Sequence, residues 1–250
     1  MRQRRVTGIE ERLAPYADLI LQGHNGDVSI MSQQQDIIET SPLCPGGPPS
    51  HYARWYQRSS PRYLLPEGFG RVYAELGCGR GLFINTMAAE DPEGLYIGVE
   101  GCKTIVIRGL QKTREAGLKN VRYIDGFIND ATAAFGEGTL AGLFLNFSDP
   151  WPKERHTDRR LTAPAKAEAY LRALAQGGFV SFKTDGEALF RYSLASFTDA
   201  GFTIAGAACD IATAVHERKI AERAASTPTE YELKFRALGR PIYQFTAVRN

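Results

Sequence analysis

Cysteine is scarce. The 250 residues hold four, Cys44, Cys78, Cys102 and Cys209, scattered and with no CxxC pair. That spacing argues against a structural zinc site, and that density against a disulfide framework. Long apolar runs are missing too: none approaches the roughly 20 residues needed to span a bilayer. The opening MRQRR lacks the apolar core of a secretory signal. A reduced, cytoplasmic compartment is the expectation. Excess charge is equally absent, since 30 Lys+Arg against 28 Asp+Glu leave a net charge of +2. Any nucleic-acid contact must therefore come from a local patch rather than a global field. No internal repeat is visible. The length suits one domain, or one domain with an extension, of ordinary globular composition.

Residues 1–70 differ from the rest and read as a basic, proline-rich extension. Arg2, Arg4 and Arg5 form a basic start, and a helix is expected over Ile9–Leu21, interrupted by Pro15. Pro42, Pro45, Pro48, Pro49, Pro61 and Pro66 predict an irregular segment. Its His51, Tyr52, Trp55 and Tyr56, with Arg54 and Arg58, could pack on the domain edge or stack on bases.

From Arg71 onward, over 71–250, strand and helix signals alternate. Strands are expected at Val72–Leu76, Leu95–Val99, Val121–Ile124, Leu140–Phe147 and Phe179–Lys183. Helices are expected at Leu82–Ala89, Lys103–Ala116, Ala163–Ala175 and Glu187–Ala200, with Gly117 and Gly177 as helix stops. A helical, charged excursion over Ile211–Leu238 separates two final strands, about Phe202–Ala208 and Ile242–Val248. This alternation predicts an α/β fold with a mostly parallel sheet covered on both faces.

The first of these strands ends in Glu75-Leu76-Gly77-Cys78-Gly79-Arg80-Gly81. Glycines there let the chain turn tightly and approach a ligand closely, beside the free N–H groups that open the next helix. Glu100, 25 positions after Glu75, ends the second strand, where a carboxylate can accept both hydroxyls of a ribose. The pattern is GxGxG rather than GxGxxG, and Glu75 sets a negative charge beside it. That disfavours a pyrophosphate and favours a cationic ligand, so S-adenosylmethionine fits better than NAD. Glu75, Glu100 and Asp149 all fall at carboxyl ends of strands, where ligands bind in such sheets.

The most distinctive stretch is LNFSDPWPKERHTDRR, Leu145 to Arg160. An apolar strand empties into Asn146 and Asp149. Pro150 and Pro152 then bracket Trp151, predicting a stiff loop. Lys153, Arg155, His156, Arg159 and Arg160 follow within eight positions. A solvated charged loop is the plain reading of such a run. Asn, Asp and Trp at a strand end argue for more.

These motifs resemble the bacterial single-chain tRNA (guanine-N7)-methyltransferase family. The resemblance rests on GCGRG, IGVE, the Asn146–Arg160 string, Phe182-Lys183-Thr184-Asp185 and Thr229-Glu230-Tyr231-Glu232-Leu233-Lys234, and runs from about Val72 to Val248. It implies a Rossmann-like fold with a seven-stranded sheet whose last strand is antiparallel, and methyl transfer from S-adenosylmethionine to N7 of a variable-loop guanosine in tRNA. By motif match, Glu75, Gly77, Gly79, Glu100, Asn146 and Asp149 would lie on the cofactor side. Lys153, Asp185, Thr229, Glu230, Tyr231 and Glu232 would contact the substrate, and Arg155, His156, Arg159 and Arg160 would face the tRNA backbone. The chain departs from the family after the third strand, where an acidic or amide residue usually holds the adenine. Ungapped counting puts Phe127 there, so backbone groups or a shifted Asn129 would take over. Thr157-Asp158 also stand where a further basic residue is common, and residues 6–66 match nothing recognisable.

N7 of guanine is an exposed acceptor carrying no proton, so its methylation needs positioning rather than a base. Asp149, the expected catalytic residue, with Asp185 and Glu232, could hydrogen-bond the guanine edge and stabilise the charge that develops on it. Asp185 could equally cap the following helix, and Trp151 could stack on a base or stiffen its loop. Two rivals share these features: a same-fold methyltransferase acting on a small molecule or protein, and an RNA-binding protein with a decayed cofactor site. An NAD oxidoreductase is disfavoured by Glu75.

Overall fold

The fold was obtained as a computed structural model; the structure describes residues 8–24, 61–205 and 215–250. Seven strands form one sheet: β1 (Arg71–Leu76), β2 (Gly94–Glu100), β3 (Val121–Asp125), β4 (Leu140–Asn146), β5 (Leu174–Thr184), β6 (Thr203–Ala205) and β7 (Tyr243–Val248). Their order is β3-β2-β1-β4-β5-β7-β6. The pairings from β3 through to β5 are parallel, and β7 runs antiparallel to both β5 and β6. This is the Rossmann-like methyltransferase arrangement, with the last strand reversed as expected. The chain order turns around between β1 and β4, which makes that gap the switch point where ligands bind in open sheets.

The helices follow from the same alternation: α1 (Leu82–Glu90), α2 (Lys103–Glu115), α3 (Ala131–Phe135), α4 (Pro164–Ala173), α5 (Glu187–Asp199), α6 (Val215–Ser226) and α7 (Glu230–Ala237). They cover both faces, so β4 is buried along its whole length. One apolar cluster includes Leu76, Ile97, Leu143, Phe182 and Phe245, and the other Tyr73, Phe83, Met87, Tyr96 and Phe144. The switch to α1 is tight. A Cβ on Gly81, whose φ is 76°, would lie 2.7 Å from Tyr123 Oη and 2.8 Å from Gly109 Cα. Asn85 secures this turn: its amide donates to Gly81 O (2.7 Å) and Tyr123 Oη (2.9 Å), and it accepts from Thr113 Oγ1 (2.6 Å).

Several expectations need correcting. Gly177 (φ 74°) does not stop a helix: α4 ends at Ala173, and Gly177 lies inside β5, donating to Arg249 O (2.9 Å). Gly177 thus absorbs an irregularity in a strand longer than expected. Phe147 leaves its strand because its φ is 52°. The short α3 was not anticipated; Asp130 starts it by accepting from the N–H groups of Thr132 and Ala133. The expected helix over Ile9–Leu21 divides into an α-helical turn, Ile9–Leu13, and a 3₁₀ stretch, Ala14–Leu19. This segment joins the domain: Leu13 and Leu19 are buried, and Leu21 N–H donates to Tyr123 O (2.8 Å) on the outer edge of β3. Arg2, Arg4, Arg5, the aromatics of residues 51–58 and the end of the strand expected over 202–208 lie outside the described residues. Among the described residues no helix is long and apolar enough to cross a membrane.

Candidate active site

The carboxyl ends of β1, β2 and β4 converge as the topology requires. Glu75 is 2% exposed. Its Oε1 accepts from Asn146 Nδ2 (2.9 Å), whereas Glu75 Oε2 and Asn146 Oδ1 are buried without a hydrogen bond. Burial pushes the Glu75 carboxyl up to about 8, against the Asn146 hydrogen bond, which pulls it down. The glycine turn wraps over the end of β2: Gly77 and Cys78 donate to Val99 O, and Gly79 N–H donates to Glu100 Oε2 (3.1 Å). Glu100 Oε1 accepts from Cys102 N–H (2.9 Å). Desolvation raises the Glu100 carboxyl to about 6 despite these bonds. Gly77 and Gly79 have φ of 82° and 56°, and a Cβ on either would meet no atom within 4 Å. The turn therefore faces open space.

A cavity of ≈ 330 Å³ is lined by Gly77, Glu100, Phe127, Ile128, Asn129 and Asn146, together with Asp149 and Trp151. Phe127 and Asn129 both reach it. The Phe127 ring packs against Gly101, where a Cβ would lie 1.8 Å from its Cζ. Phe127 therefore supplies an apolar wall and no side-chain hydrogen bond. Asp149 is exposed at the cavity mouth, and partial desolvation raises its carboxyl.

The loop after β4 is stiff, as its prolines predict, and also strained. Phe147 and Trp151 take φ of 52° and 39°, which side-chain-bearing residues seldom adopt. Arg160 braces it. Its guanidinium donates to Pro150 O (2.9 Å) and Trp151 O (3.2 Å), and its Cζ stands 4.2 Å from the Tyr192 ring centroid. Arg159 stands 5.2 Å over the Trp151 ring and lines the cavity. Arg160 thus commits its Nε and one terminal nitrogen to the loop's own backbone. Trp151 packs between Arg159 and His156 (centroids 5.8 Å), in keeping with loop stiffening. Lys153 and Arg155 are exposed. The His156 imidazole is pushed down by partial desolvation and by Arg159, Arg155 and Lys153, which favours a neutral ring at neutral pH.

Behind the loop stands the C-terminal motif. Tyr231 is 44% exposed; its ring lies 5.1 Å from Phe147 and 4.2 Å from Phe235, making an aromatic shelf. Asp185, Arg240 and Asp149 are within electrostatic reach of Tyr231. Asp185 does not cap α5, whose start is served instead by Thr184 Oγ1 accepting from Gly186 N–H (3.1 Å). Asp185 pairs with Arg240 at 3.8 Å. Thr229 caps α7 by accepting from Glu232 N–H (3.0 Å), and Glu230 pairs with Lys112 (2.5 Å). The carboxylate expected to touch the guanine, Glu232, is fully buried in a pair with Lys183 (3.1 Å) and also holds Arg236 (2.5 Å). Both of its oxygens pair with those cations. Thr229 and Glu230 likewise serve the placement of α7.

The family model described as "Putative methyltransferase" matches residues 70–245. A tRNA (guanine-N(7)-)-methyltransferase of Geobacillus kaustophilus is 38% identical over 202 residues, covering 76% of this chain and 90% of the relative. That of Listeria monocytogenes is 40% identical over 176 residues, covering 70% and 79%. The chain belongs to the tRNA (guanine-N7)-methyltransferase family. A solved antibiotic-related methyltransferase overlays with a TM-score of 0.48 and 17% identity, covering 92% of this chain and 98% of that one.

The cavity of this family member fits S-adenosylmethionine. The two orphaned oxygens, Glu75 Oε2 and Asn146 Oδ1, are acceptors suited to an ammonium. Glu100 retains lone pairs for ribose hydroxyls, and Phe127, Ile128 and Ile105 give an apolar slot for an adenine. Three residues have surroundings that the sequence reading did not assign to them. Lys183 looked like part of a strand-end motif and is a fully buried cation. Arg160 looked like a phosphate contact. Lys166, 6% exposed on the cavity wall, lies within the helix expected over Ala163–Ala175. Nothing local marks any of them, because burial is set by elements distant in sequence.

Proposed function

We propose that this chain transfers the methyl group of S-adenosylmethionine to N7 of a guanosine in the variable loop of tRNA, in the cytoplasm where that RNA is found. One observation carries the reading: a cavity with acceptors for a cationic cofactor opens beside an aromatic shelf flanked by two carboxylates. When bound, S-adenosylmethionine supplies a methyl group activated by its sulfonium. The chain's own residues do the rest. Glu75 and Asn146 accept hydrogen bonds from the cofactor's ammonium end, and Glu100 accepts from its ribose. Phe147 and Tyr231 offer a face on which a purine stacks, as single-stranded bases do on aromatic side chains. Asp149 and Asp185 accept from the guanine N1–H and amino group, which orients N7 and stabilises positive charge developing on the ring. No proton leaves N7, so no general base is required. Lys153 and Arg155, exposed on the loop's outer face, are placed for phosphates. The relatives' names and the match over residues 70–245 support the same substrate and reaction.

The test is transfer of label from S-adenosylmethionine to unmodified tRNA, with nucleoside mass spectrometry identifying the base. N7-methylguanosine should appear with the wild type and be lost with Asp149→Ala. Cofactor binding without any transfer would redirect the reading to another acceptor.

A further inference from the structure

Ser148 carries a polar group to which the methyl-transfer reading assigns no task. The residue lines the ≈ 330 Å³ cavity, and its Oγ is buried there without a hydrogen bond. Burying a hydroxyl without a partner costs stability, and alanine would fill the same place without that cost. The backbone is strained at the same point. Phe147, the residue before, takes a φ of 52° while its N–H is held by Lys183 O (2.8 Å). A strained loop that buries an unpaired hydroxyl against a cavity is explained by a ligand group that the hydroxyl meets.

The neighbouring atoms say which group that is. Glu75 Oε2 and Asn146 Oδ1 are also buried without a hydrogen bond, and the two residues are joined to each other at 2.9 Å. Ser148 follows Asn146 by two positions, which keeps their Cα atoms within about 7 Å. Asn146 Oδ1 can only accept, and Glu75 Oε2 accepts once a facing ammonium ionises it; a hydroxyl also donates. In S-adenosylmethionine the ammonium and a carboxylate leave the same carbon atom. Acceptors for the one therefore call for donors to the other close by. The glycine turn has spent most of its own. Gly77 and Cys78 donate to Val99 O, Gly79 to Glu100 Oε2 and Gly81 to Cys78 O. Ser148 Oγ is an uncommitted donor beside Asn146. We propose that Ser148 is a cofactor-binding residue whose hydroxyl donates to the α-carboxylate of S-adenosylmethionine, while Asn146 and Glu75 hold the ammonium next to it. The inference rests on the S-adenosylmethionine reading of this cavity.

It is tested by calorimetry on the full chain with S-adenosylhomocysteine, its decarboxylated analogue and its deaminated analogue, comparing wild type with Ser148→Ala. Removing one charge-assisted hydrogen bond corresponds to about a tenfold loss. Ser148→Ala should bind S-adenosylhomocysteine about tenfold more weakly, while its unliganded melting temperature holds or rises. The same factor should separate the two proteins with the deaminated analogue, which keeps the carboxylate. With the decarboxylated analogue the two should bind alike, the signature of a direct pair. Binding of S-adenosylhomocysteine by Ser148→Ala within twofold of wild type overturns the proposal; a raised KM for tRNA in that variant would then move the hydroxyl to the substrate. An equal loss with all three ligands, or a lowered melting temperature, also overturns it, because the serine would then serve only the loop. So does equal affinity of wild type for the parent and the decarboxylated analogue, a result that stands even if the variant fails to fold. Failure of wild type to bind S-adenosylhomocysteine at all is a separate outcome, which removes the cofactor reading together with this one.

Discussion

Glu75 lies at the end of β1 with one carboxylate oxygen unpaired in the protein interior, and burial has raised its carboxyl to about 8. An unfolded Glu titrates near 4.5. Between those two values the folded protein holds a proton that the unfolded chain has released. Stability of the unliganded protein therefore falls as pH rises through this window and levels off above about 8. Glu100 and Asp125, both raised to about 6 by desolvation, add the same sign over the lower part of the range. Glu75→Gln isolates the largest contribution. Its melting temperature should approach that of wild type near pH 5 and exceed it at pH 8, by the equivalent of about 2 kcal/mol. The same variant should bind S-adenosylmethionine on the order of 100-fold more weakly, since a buried charge contact is lost. Thermal melts across pH, paired with calorimetry, check both; a pH profile parallel to wild type would remove the assigned role of burial. Glu75, Glu100 and Asp149 were legible in the sequence because a strand end followed by glycine or proline is a local signal. Lys166 was not, since its burial depends on Asn129 and Arg159 meeting it in space.

The element that ties shelf to sheet is α7, held by Glu232 between Lys183 of β5 and its own Arg236. Lys183 also donates to Thr227 O (2.8 Å), just before the helix. Breaking such a buried pair strands a charge. Glu232→Gln should cost about 3 kcal/mol in urea unfolding, whereas Lys183→Met combined with Glu232→Leu should recover most of that. Equal losses in single and double variants would show that the pair itself is not what matters. A second element, the loop from Asn146 to Arg160, depends on Arg160 to hold the Pro150 and Trp151 carbonyls. Arg160→Ala should lower kcat by about tenfold while leaving tRNA affinity and its salt response unchanged, because those donors point inward. The sequence disclosed this loop's stiffness through its two prolines. It did not disclose which cation braces it, since five basic residues within eight positions look alike until the chain folds back on itself. Gly177 misled for a related reason: a glycine after a helical pattern reads as a stop, and only pairing with Arg249, 72 positions later, makes it part of a strand.

At the scale of the whole molecule, a net charge of +2 offers no general attraction for a polyanion, so tRNA binding must be concentrated where cations are both clustered and outward-facing. Among the described residues of the central loop, Lys153 and Arg155 meet that condition. Arg160 does not, and Arg159 is drawn over Trp151. Each phosphate neutralised releases condensed counterions, and the logarithm of affinity falls with the logarithm of salt in proportion to the number of contacts, by about 0.7 to 0.9 per contact. Lys153→Ala and Arg155→Ala should each reduce that slope by about 1, and the double variant by about 2, with S-adenosylmethionine affinity unchanged. Arg160→Ala, which removes the same charge, should keep the wild-type slope. The comparison separates charge from contact: if all three single variants lower the slope alike, the protein attracts tRNA through its summed field and the inward bracing of Arg160 is irrelevant to binding. If only Lys153 and Arg155 do, the loop divides its cations between holding its own backbone and holding RNA.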